Sequence, residues 1–396
     1  MKRIAILLWA VCLPVFLFAQ NMSSDKFGKG ITIQAQDTSF SMKFSTRFQT
    51  LYEGKTDVGS GEWNDKLMIR RARLKFEGFA YSPKLTYKIE LGISNRDTGK
   101  AIKEINSTAG VILDAVLKYK FAPGWEFWAG QTKLPGNRER VISSQKLQFV
   151  DRSLVNGEFN IDRDLGIQLH NKAKLGDKVV LKQAGAISMG EGRNVTVGNI
   201  GGYSYTYRME LLPFGEFTSK GDYFGSDLKR EETPKLAIGA SYNFNDGASR
   251  EKGQLGNFYL DAAGDYVMTD LSTIFVDFIF KYNGLSVVGE YANKKNVDEI
   301  VALPQPGKVD KFISGQGYVM QAGYLFKNNL ELAGRYTSLG PDDVTFSGLD
   351  ETKEYTLGLS RYFSEHNFKV QSDFSLTQIP GNTDEVRFRL QCELNF

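Results

Sequence analysis

The feature that most constrains this chain is the unbroken alternation of its last eleven residues. From Val386 to Phe396, apolar side chains alternate with charged or amide side chains. Successive side chains of a β-strand point to opposite faces, so this strand has one apolar face and one hydrogen-bonding face. Such a strand suits a wall between lipid and water, as in a transmembrane β-barrel. We therefore expect an all-β barrel in outer-membrane lipid, whose closing strand, ending at Phe396, is recognised by the barrel-assembly machinery.

The N-terminal residues have the pattern of a secretory signal. Two basic residues precede an apolar stretch at residues 4–18, and Ala19–Gln20 is a suitable cleavage point. We predict a signal peptide at residues 1–20, an N-terminal periplasmic segment at residues 21–39 and a transmembrane barrel domain at residues 40–396. The predicted location is the outer membrane of a Gram-negative bacterium.

Charge balance and cysteine content exclude several classes of protein. Lys and Arg total 49 against 46 Asp and Glu, and removing the two basic residues of the signal leaves a net charge of +1. A nucleic-acid-binding protein carries a basic excess, so no nucleic-acid partner is expected. Cys392 is the only cysteine beyond the predicted signal, so an intramolecular disulfide is impossible there. A small disulfide-stapled scaffold is therefore excluded.

Runs of period two recur along the rest of the chain, and helical periodicity is scarce. Alternation in residues 68–76 places Ile69, Arg71 and Arg73 on one face and Arg70 on the other. About sixteen strands are predicted, the even number that a single-chain bacterial barrel requires. They are 40–52, 68–76, 85–93, 111–121, 125–132, 164–175, 178–188, 203–212, 235–244, 272–282, 285–293, 316–327, 329–337, 353–363, 367–376 and 386–396.

The connections between these strands alternate between short and long. Short joints such as Tyr81–Pro83, Ala122–Gly124 and Asn283–Gly284 contain turn-forming residues, whereas others, such as residues 133–163, are long. Short periplasmic turns on one rim and long external loops on the other are typical of an outer-membrane barrel. Residues 213–234 break this rule, because a short turn is expected there. They are either an ordered periplasmic segment or contain a missed strand pair.

Three stretches between about residue 66 and residue 172 resemble the phosphate-selective porin family, the porin O/P group. They are RRARL at 70–74, GQTKLP at 130–135 followed by LQFVDRSLVN at 147–156, and RDLGIQL at 163–169. The resemblance implies a sixteen-stranded barrel, usually trimeric, whose third external loop, here residues 133–163, folds into the lumen. It also implies that basic residues of the pore carry phosphate. Lys133, Arg152 and Arg163 are the loop positions that match the family's motif.

Basic residues dominate the predicted inward face. Arginine and lysine lining a pore favour anions, and the guanidinium fork fits phosphate oxygens. The alternative for strand residues is that charges pair across neighbouring strands and stabilise the wall. In the loop, side chains that reach the lumen must meet permeant ions, so we expect a constriction there. The candidate pore-lining or anion-binding residues are Arg71, Arg73, Lys75, Lys118 and Lys120 on strands and Lys133, Arg138, Arg140, Lys146, Arg152 and Arg163 in the loop.

No motif indicates catalysis, a metal site or a cofactor. His170 is expected on a lumen face and His366 in a short turn, both as solvated polar residues rather than metal ligands. Neither a G-x-S-x-G nucleophile elbow nor a phosphate-binding P-loop occurs in the sequence. We therefore expect no enzymatic activity.

The sequence predicts a passive outer-membrane porin that prefers small anionic solutes. A general channel, or one for another solute such as an oligosaccharide, is the nearest alternative. An oligosaccharide channel should have a ladder of aromatic residues in its lumen, and the predicted inward faces lack one. More distant alternatives are a secreted β-rich binding protein or hydrolase with a dry core, and an adhesive barrel with a plugged pore.

Overall fold

Antiparallel strands dominate the structure, a computed structural model that describes residues 21–23, 26–98, 104–105, 109–297, 312–342 and 347–396. The predicted signal peptide lies outside the described residues. The strands are β1 (Asn21–Ser23), β2 (Ile31–Gln34), β3 (Phe40–Asp57), β4 (Asn64–Ala80), β5 (Ser82–Gly92), β6 (Ile112–Ala122), β7 (Trp125–Lys133), β8 (Arg163–Leu175), β9 (Val179–Ser188), β10 (Ser204–Leu212), β11 (Lys235–Ala248), β12 (Thr269–Tyr282), β13 (Leu285–Asn296), β14 (Gly315–Leu325), β15 (Leu330–Gly340), β16 (Thr352–Ser364), β17 (Phe368–Gln378) and β18 (Glu385–Asn395).

Helical structure is confined to short pieces. The α-helices in the described part are α1 (Asn95–Thr98), α2 (Arg138–Val141) and α3 (Leu154–Phe159), and the 3-10 helices are Ala109–Val111, Ser144–Lys146 and Thr218–Tyr223. Among the described residues, no helix has the length and apolar composition needed to cross a membrane.

Within the described residues, β3 to β18 form a closed antiparallel barrel of sixteen strands. Each strand pairs with the next in sequence, and β18 returns to pair with β3, where Leu390 lies opposite Tyr52. Closure leaves no sheet edge in the wall, so backbone groups are satisfied within the sheet, as lipid requires. The short β2 pairs with residues 41–44 of β3, and β1 pairs with β2. The predicted barrel class and strand number are confirmed.

The closing strand shows how the wall separates lipid from lumen. Leu390 and Phe396 are exposed on the outer face, whereas Arg389 and Gln391 are buried inside. The same alternation occurs in the other strands, for example in β14. An apolar exterior around a polar interior excludes the alternative of a secreted protein with a dry core.

The rims follow the predicted division into short turns and long loops. Asn283 and Gly284 both have positive φ, 49° and 92°, as a two-residue type I′ hairpin turn requires. At the opposite rim, the connection between the first two predicted strands is shortened to residues 58–63, because β3 and β4 continue past the predicted strand ends. These strand ends are polar on both faces, so alternation in the sequence does not reveal them.

A β-bulge in β4 changes which residues face the lumen. The register pairs Gln49 with Arg71 and Thr50 with Ile69. Arg70 is therefore the extra residue, and the bulge shifts the parity of the strand by one. Ile69 is 59% exposed on the outer face, and Arg70 turns inward into an ion pair. Strict alternation thus places these two residues on the wrong faces.

Loop 133–163, the third external connection of the barrel, folds into the lumen as expected. Val155 and Phe159 of α3 are fully buried and pack against Phe275, Val319 and Leu339. The three partners are inward-facing residues of β12, β14 and β15. An apolar patch on one side of the lumen therefore holds the loop against that side.

Residues 213–234 do not contain a missed strand pair. They enter the barrel from the rim of short turns through the 3-10 helix Thr218–Tyr223. Phe217 packs against Val180 and Ile279, which face inward from β9 and β12. The backbone amide of Gly225 donates a 2.7 Å hydrogen bond to the carbonyl oxygen of Lys146 in loop 133–163. The loop and segment 213–234 therefore meet inside the barrel, and open space is left along β4 to β9.

Candidate functional site

A cavity of about 1100 Å³ lies between the wall of β4 to β9 and the two inserted pieces. It extends from Asp97 and Arg193 near the loop rim to Gly124 and Glu216 near the turn rim. Seventeen Lys and Arg side chains line it against eight Asp and Glu in the described residues. Such a lining favours anions. The basic lining residues are Arg70, Arg71, Arg73, Lys88, Lys118, Lys120, Lys133, Arg140, Arg152, Arg163, Lys172, Lys182, Arg193, Arg208, Lys220, Arg387 and Arg389.

Arg138 does not line this cavity, so its expected exposure to permeant ions has to be corrected. Its side chain is 0% exposed. Its guanidinium contacts Asp277 at 2.9 Å and Glu210 at 2.9 Å, both on the barrel wall, and donates to the carbonyl oxygen of Asp222 at 3.3 Å. Arg208 shares both carboxylates, each at 2.7 Å. Arg138 therefore anchors the loop to the wall.

Four other basic residues of the loop line the cavity: Lys133, Arg140, Arg152 and Arg163. Lys133 donates to the carbonyl oxygens of Arg140 and Ile142 at 2.7 and 3.2 Å. Arg152 donates to the carbonyl oxygens of Glu139 and Ile142 at 2.6 and 2.7 Å. Hydrogen bonds to carbonyls fix these side chains without pairing them with a carboxylate. Burial lowers the pKa of Arg152 to about 10, so it is still a cation at neutral pH.

Arg140 and Arg163 share a carboxylate at the edge of the cavity. Arg140 forms an ion pair with Asp162. Arg163, the first residue of β8, contacts Asp114 at 3.1 Å and Asp162 at 3.9 Å. The loop and the wall are therefore joined by charge where the chain leaves β7 and enters β8.

The predicted strand residues split between paired and unpaired charges. Arg71 contacts Asp151 at 3.0 Å, and Arg73 bridges two carboxylates at 3.0 and 2.9 Å. Lys120 lies 3.5 Å from Glu126. Lys118 instead places its ammonium 3.6 Å from the centre of the Trp128 ring. The wall-stabilising alternative therefore holds for Arg71, Arg73 and Lys120, whereas Lys118 forms no ion pair among the described residues and lies beside an aromatic face.

Lys75 and Lys146 are the remaining predicted residues, and neither lines the main cavity. Lys75 contacts Glu77 at 3.0 Å. Lys146 lies 3.8 Å from the centre of the Phe224 ring, at the junction between the loop and segment 213–234. Burial and the charges of Lys75 and Lys220 lower the pKa of Lys146 to about 8.

Strand alternation misses three basic residues of the lining. Arg70 is turned inward by the bulge. Arg193 lies in the fourth external loop and donates to the carbonyl oxygen of Asp97 at 2.6 Å. Lys220 belongs to segment 213–234. Alternation carries no information in loops, so the last two residues had no sequence signal beyond their charge.

Several guanidinium nitrogens near the cavity have unused hydrogen-bonding capacity. Among the described residues, the buried Nε atoms of Arg73, Arg140 and Arg163 and the Nη1 atom of Arg193 have no hydrogen-bond partner. Buried donors without partners are uncommon in proteins. The arginines that carry these buried nitrogens line the cavity, and guanidinium groups fit oxyanions well.

The two histidines differ in environment. His170 stacks on Trp128 with ring centres 3.9 Å apart and lines the cavity, on the lumen face expected for it. His366 is only 4% exposed and lies between Phe224 and Tyr362. The expectation that His366 is solvated is therefore wrong, because segment 213–234 covers the turn that contains it. No cluster of three or more potential metal ligands occurs in the described part of the chain.

Comparison with known proteins agrees with this geometry. The family model of the phosphate-selective porins O and P matches residues 42–387. No curated protein has significant sequence similarity to the chain.

Solved structures resemble the chain in fold. An anion-selective porin from Comamonas acidovorans superposes with a TM-score of 0.55 at 11% identity, covering 90% of this chain and 100% of the porin. A loop L8 deletion mutant of OmpT, an outer-membrane protein of Vibrio cholerae, gives 0.54 at 10% identity with the same coverage. The trimer form of OmpT gives 0.52 at 11% identity, again over 90% and 100% of the two chains. At these identities the likeness establishes the fold alone.

The family match spans most of the chain and includes the motif stretches on β4, loop 133–163 and β8. The barrel, its inserted third loop and its polar lumen are those of an outer-membrane diffusion channel. The chain belongs to the phosphate-selective porin O and P family of Gram-negative outer-membrane porins.

Proposed function

We propose that this porin conducts small anions by passive diffusion, with a preference for oxyanions such as phosphate. The observation that carries the proposal is the charge of the cavity, where seventeen basic side chains face eight acidic ones among the described residues. A channel with a fixed positive excess concentrates anions and repels cations at each point of the path.

Selectivity in this proposal has two physical sources. The first is the positive charge of lining residues that form no ion pair among the described residues, such as Lys118 and Arg152, which attracts any anion. The second is the set of guanidinium groups of Arg73, Arg140 and neighbouring arginines that line the cavity and fit the oxygens of an oxyanion. Both sources act without a chemical step, and no catalytic role is assigned to any residue.

An oligosaccharide channel is the nearest competing function. Trp128 does face the lumen, but Lys118 covers one part of its ring at 3.6 Å and His170 stacks on it at 3.9 Å. A sugar therefore has no free aromatic face at this position. The observation favours an anion over a sugar as the solute.

The proposal extends to processing and assembly. Residues 1–20 serve as the signal peptide, and the mature chain begins with the periplasmic segment at residues 21–39. The strand that ends at Phe396 engages the barrel-assembly machinery, and three copies associate in outer-membrane lipid, as the trimer form of the similar barrel suggests. Mass measurement in a mild detergent tests the trimer.

The decisive experiment is the reversal potential of the purified porin in a planar bilayer under a KCl gradient, followed by addition of phosphate. We expect the reversal potential to have the sign of a chloride-selective channel. We also expect phosphate to reduce the chloride current. A potential set by potassium would reject anion preference. A chloride preference without inhibition by phosphate would reject the oxyanion site but keep the anion channel.

A further inference from the structure

Segment 213–234 lines the turn-rim part of the cavity, opposite the part lined by loop 133–163. Glu216, Lys220 and Tyr223 belong to the lining. Ser219 and Lys220 both have left-handed backbone conformations, with φ of 53° and 61°. Consecutive non-glycine residues of this kind are uncommon, and a segment adopts them only where its surroundings fix the chain.

The wall fixes the segment on both sides of Lys220. On one side, Phe217 is buried in an apolar cluster with inward-facing residues. On the other, Asp222 accepts a 2.5 Å hydrogen bond from Lys182, and the Tyr223 hydroxyl donates to Glu210 at 3.0 Å. The segment is therefore a built part of the lumen.

Loop 133–163 also fixes the position of segment 213–234. Gly225 donates its backbone hydrogen bond to Lys146, and a Cβ atom added at Gly225 would lie 2.7 Å from the backbone nitrogen of Gln148. Only a residue without a side chain allows this approach. The two inserted pieces therefore depend on one another for their position.

Lys220 is an exposed cation of the segment that forms no ion pair among the described residues, whereas the exposed Lys229 pairs with Glu365 at 2.6 Å. Lys172 pairs with Glu216 at 2.5 Å, and Lys182 pairs with Asp222 at 2.5 Å. The ion pairs of the described residues use these carboxylates and do not include Lys220. An anion that leaves the cavity toward the turn rim passes this side chain.

We propose that segment 213–234 is the periplasmic half of the constriction, and that Lys220 is a selectivity-determining residue at the periplasmic exit. This inference rests on the proposed anion permeation and adds a location and a sidedness to it. The external loop sets the charge of the inner path, and the periplasmic segment sets the charge of the exit.

Sided chemical modification tests the role of Lys220. Lys220→Cys is made in a Cys392→Ser background, so that it carries the single cysteine, and channels of known orientation are placed in a bilayer. We expect the substitution to lower the anion/cation permeability ratio about twofold, as one unit charge near a water-filled path should. A sulfonatoethyl methanethiosulfonate reagent should lower the ratio further, and the aminoethyl reagent should restore it. Both should react faster from the periplasmic side.

Lys327→Cys in the same background is the matched control, because Lys327 is exposed on the same rim in the turn between β14 and β15 but does not line the cavity. Its modification should change neither current nor ratio. If the wild type prefers anions but Lys220 variants keep its ratio with both reagents, this inference fails and the proposed function stands. If the wild type shows no anion preference, the proposed function itself fails.

Gly225→Val tests the docking of the two pieces independently. We expect a higher unitary conductance and faster proteolysis within segment 213–234, because the added side chain separates Gly225 from Gln148. Gly334→Val is the control, since no atom lies within 4 Å of an added Cβ there. Heat-modifiable migration in electrophoresis verifies that each barrel is folded. A folded Gly225→Val porin with wild-type conductance would contradict the second constriction.

Discussion

The Nε atom of Arg138 lies 2.9 Å from Oδ1 of Asp277, which joins the tip of the external loop to the far wall of the barrel. Both side chains are almost completely buried. A buried charge pair of this kind fixes position, and removing one partner leaves an uncompensated charge. The fully buried Arg138 is thus a structural residue, and we expect the neighbouring Arg140 and Arg152 to line the ion path.

Arg138→Met should therefore reduce stability more than selectivity. We expect the free energy of unfolding to fall by about 3 kcal/mol, the lower end of the range for a broken buried pair, because Arg208 still contacts both carboxylates. Urea unfolding of the refolded porin, followed by tryptophan fluorescence, measures the change. Arg140→Met is the matched control, with a smaller loss of stability and a lower anion/cation ratio. A large loss of anion preference at unchanged stability would reverse the roles assigned to the two residues.

Asp151→Asn should change the anion/cation permeability ratio in the opposite direction from the loss of a basic residue. Burial alone would raise the pKa of Asp151, but Arg71 and Arg70 hold it well below its ordinary value, so the carboxylate is charged at neutral pH. Neutralising it adds to the positive excess of the cavity, and the anion/cation ratio should rise about twofold. Glu385→Gln, at the loop rim and outside the cavity, should leave the ratio unchanged. A fall in the ratio after Asp151→Asn would mean that the loop has moved.

Selectivity should depend on pH through Lys146. Its pKa is lowered to about 8, first by burial and then by the charges of Lys75 and Lys220. As pH rises from 7 to 9, Lys146 loses its proton and the field near the exit becomes less positive. The anion/cation ratio should therefore decrease over this interval in bilayer measurements. Lys146→Arg, which keeps its charge across the interval, should show a flatter profile. Identical profiles for the two proteins would exclude Lys146 as the titrating group.

Strand positions could be predicted from the sequence because the membrane imposes period two on each wall strand. The closing strand at residues 386–396 and the turn at Asn283–Gly284 illustrate this. The bulge at Arg70 could also have been predicted from the sequence, because strict alternation would place one of two adjacent arginines in lipid. An arginine on the lipid face costs about 2–4 kcal/mol at the midplane, so the Arg70–Arg71 pair indicates a break in parity.

The positions of loop 133–163 and segment 213–234 inside the barrel could be predicted only in part from the sequence. Burial of Arg138 depends on Asp277 and Glu210, distant residues whose proximity no local pattern reveals. Segment 213–234 did leave a signal, since the inward positions Val180 and Ile279 are apolar in a lumen lined mainly by polar residues. An apolar inward face needs a partner that covers it, and Phe217 supplies that partner.

The most direct test of the cationic path is the reversal potential of Lys133→Gln/Arg152→Gln beside that of the wild type. Both residues line the cavity, and neither forms an ion pair among the described residues, because their hydrogen bonds go to carbonyl oxygens rather than to carboxylates. Lys55→Gln is the control, at the loop rim outside the cavity. We expect the wild type and the control to prefer chloride to potassium, and the double variant to lose about fourfold or more of that preference. Equal reversal potentials for all three proteins would contradict an anion path along this wall.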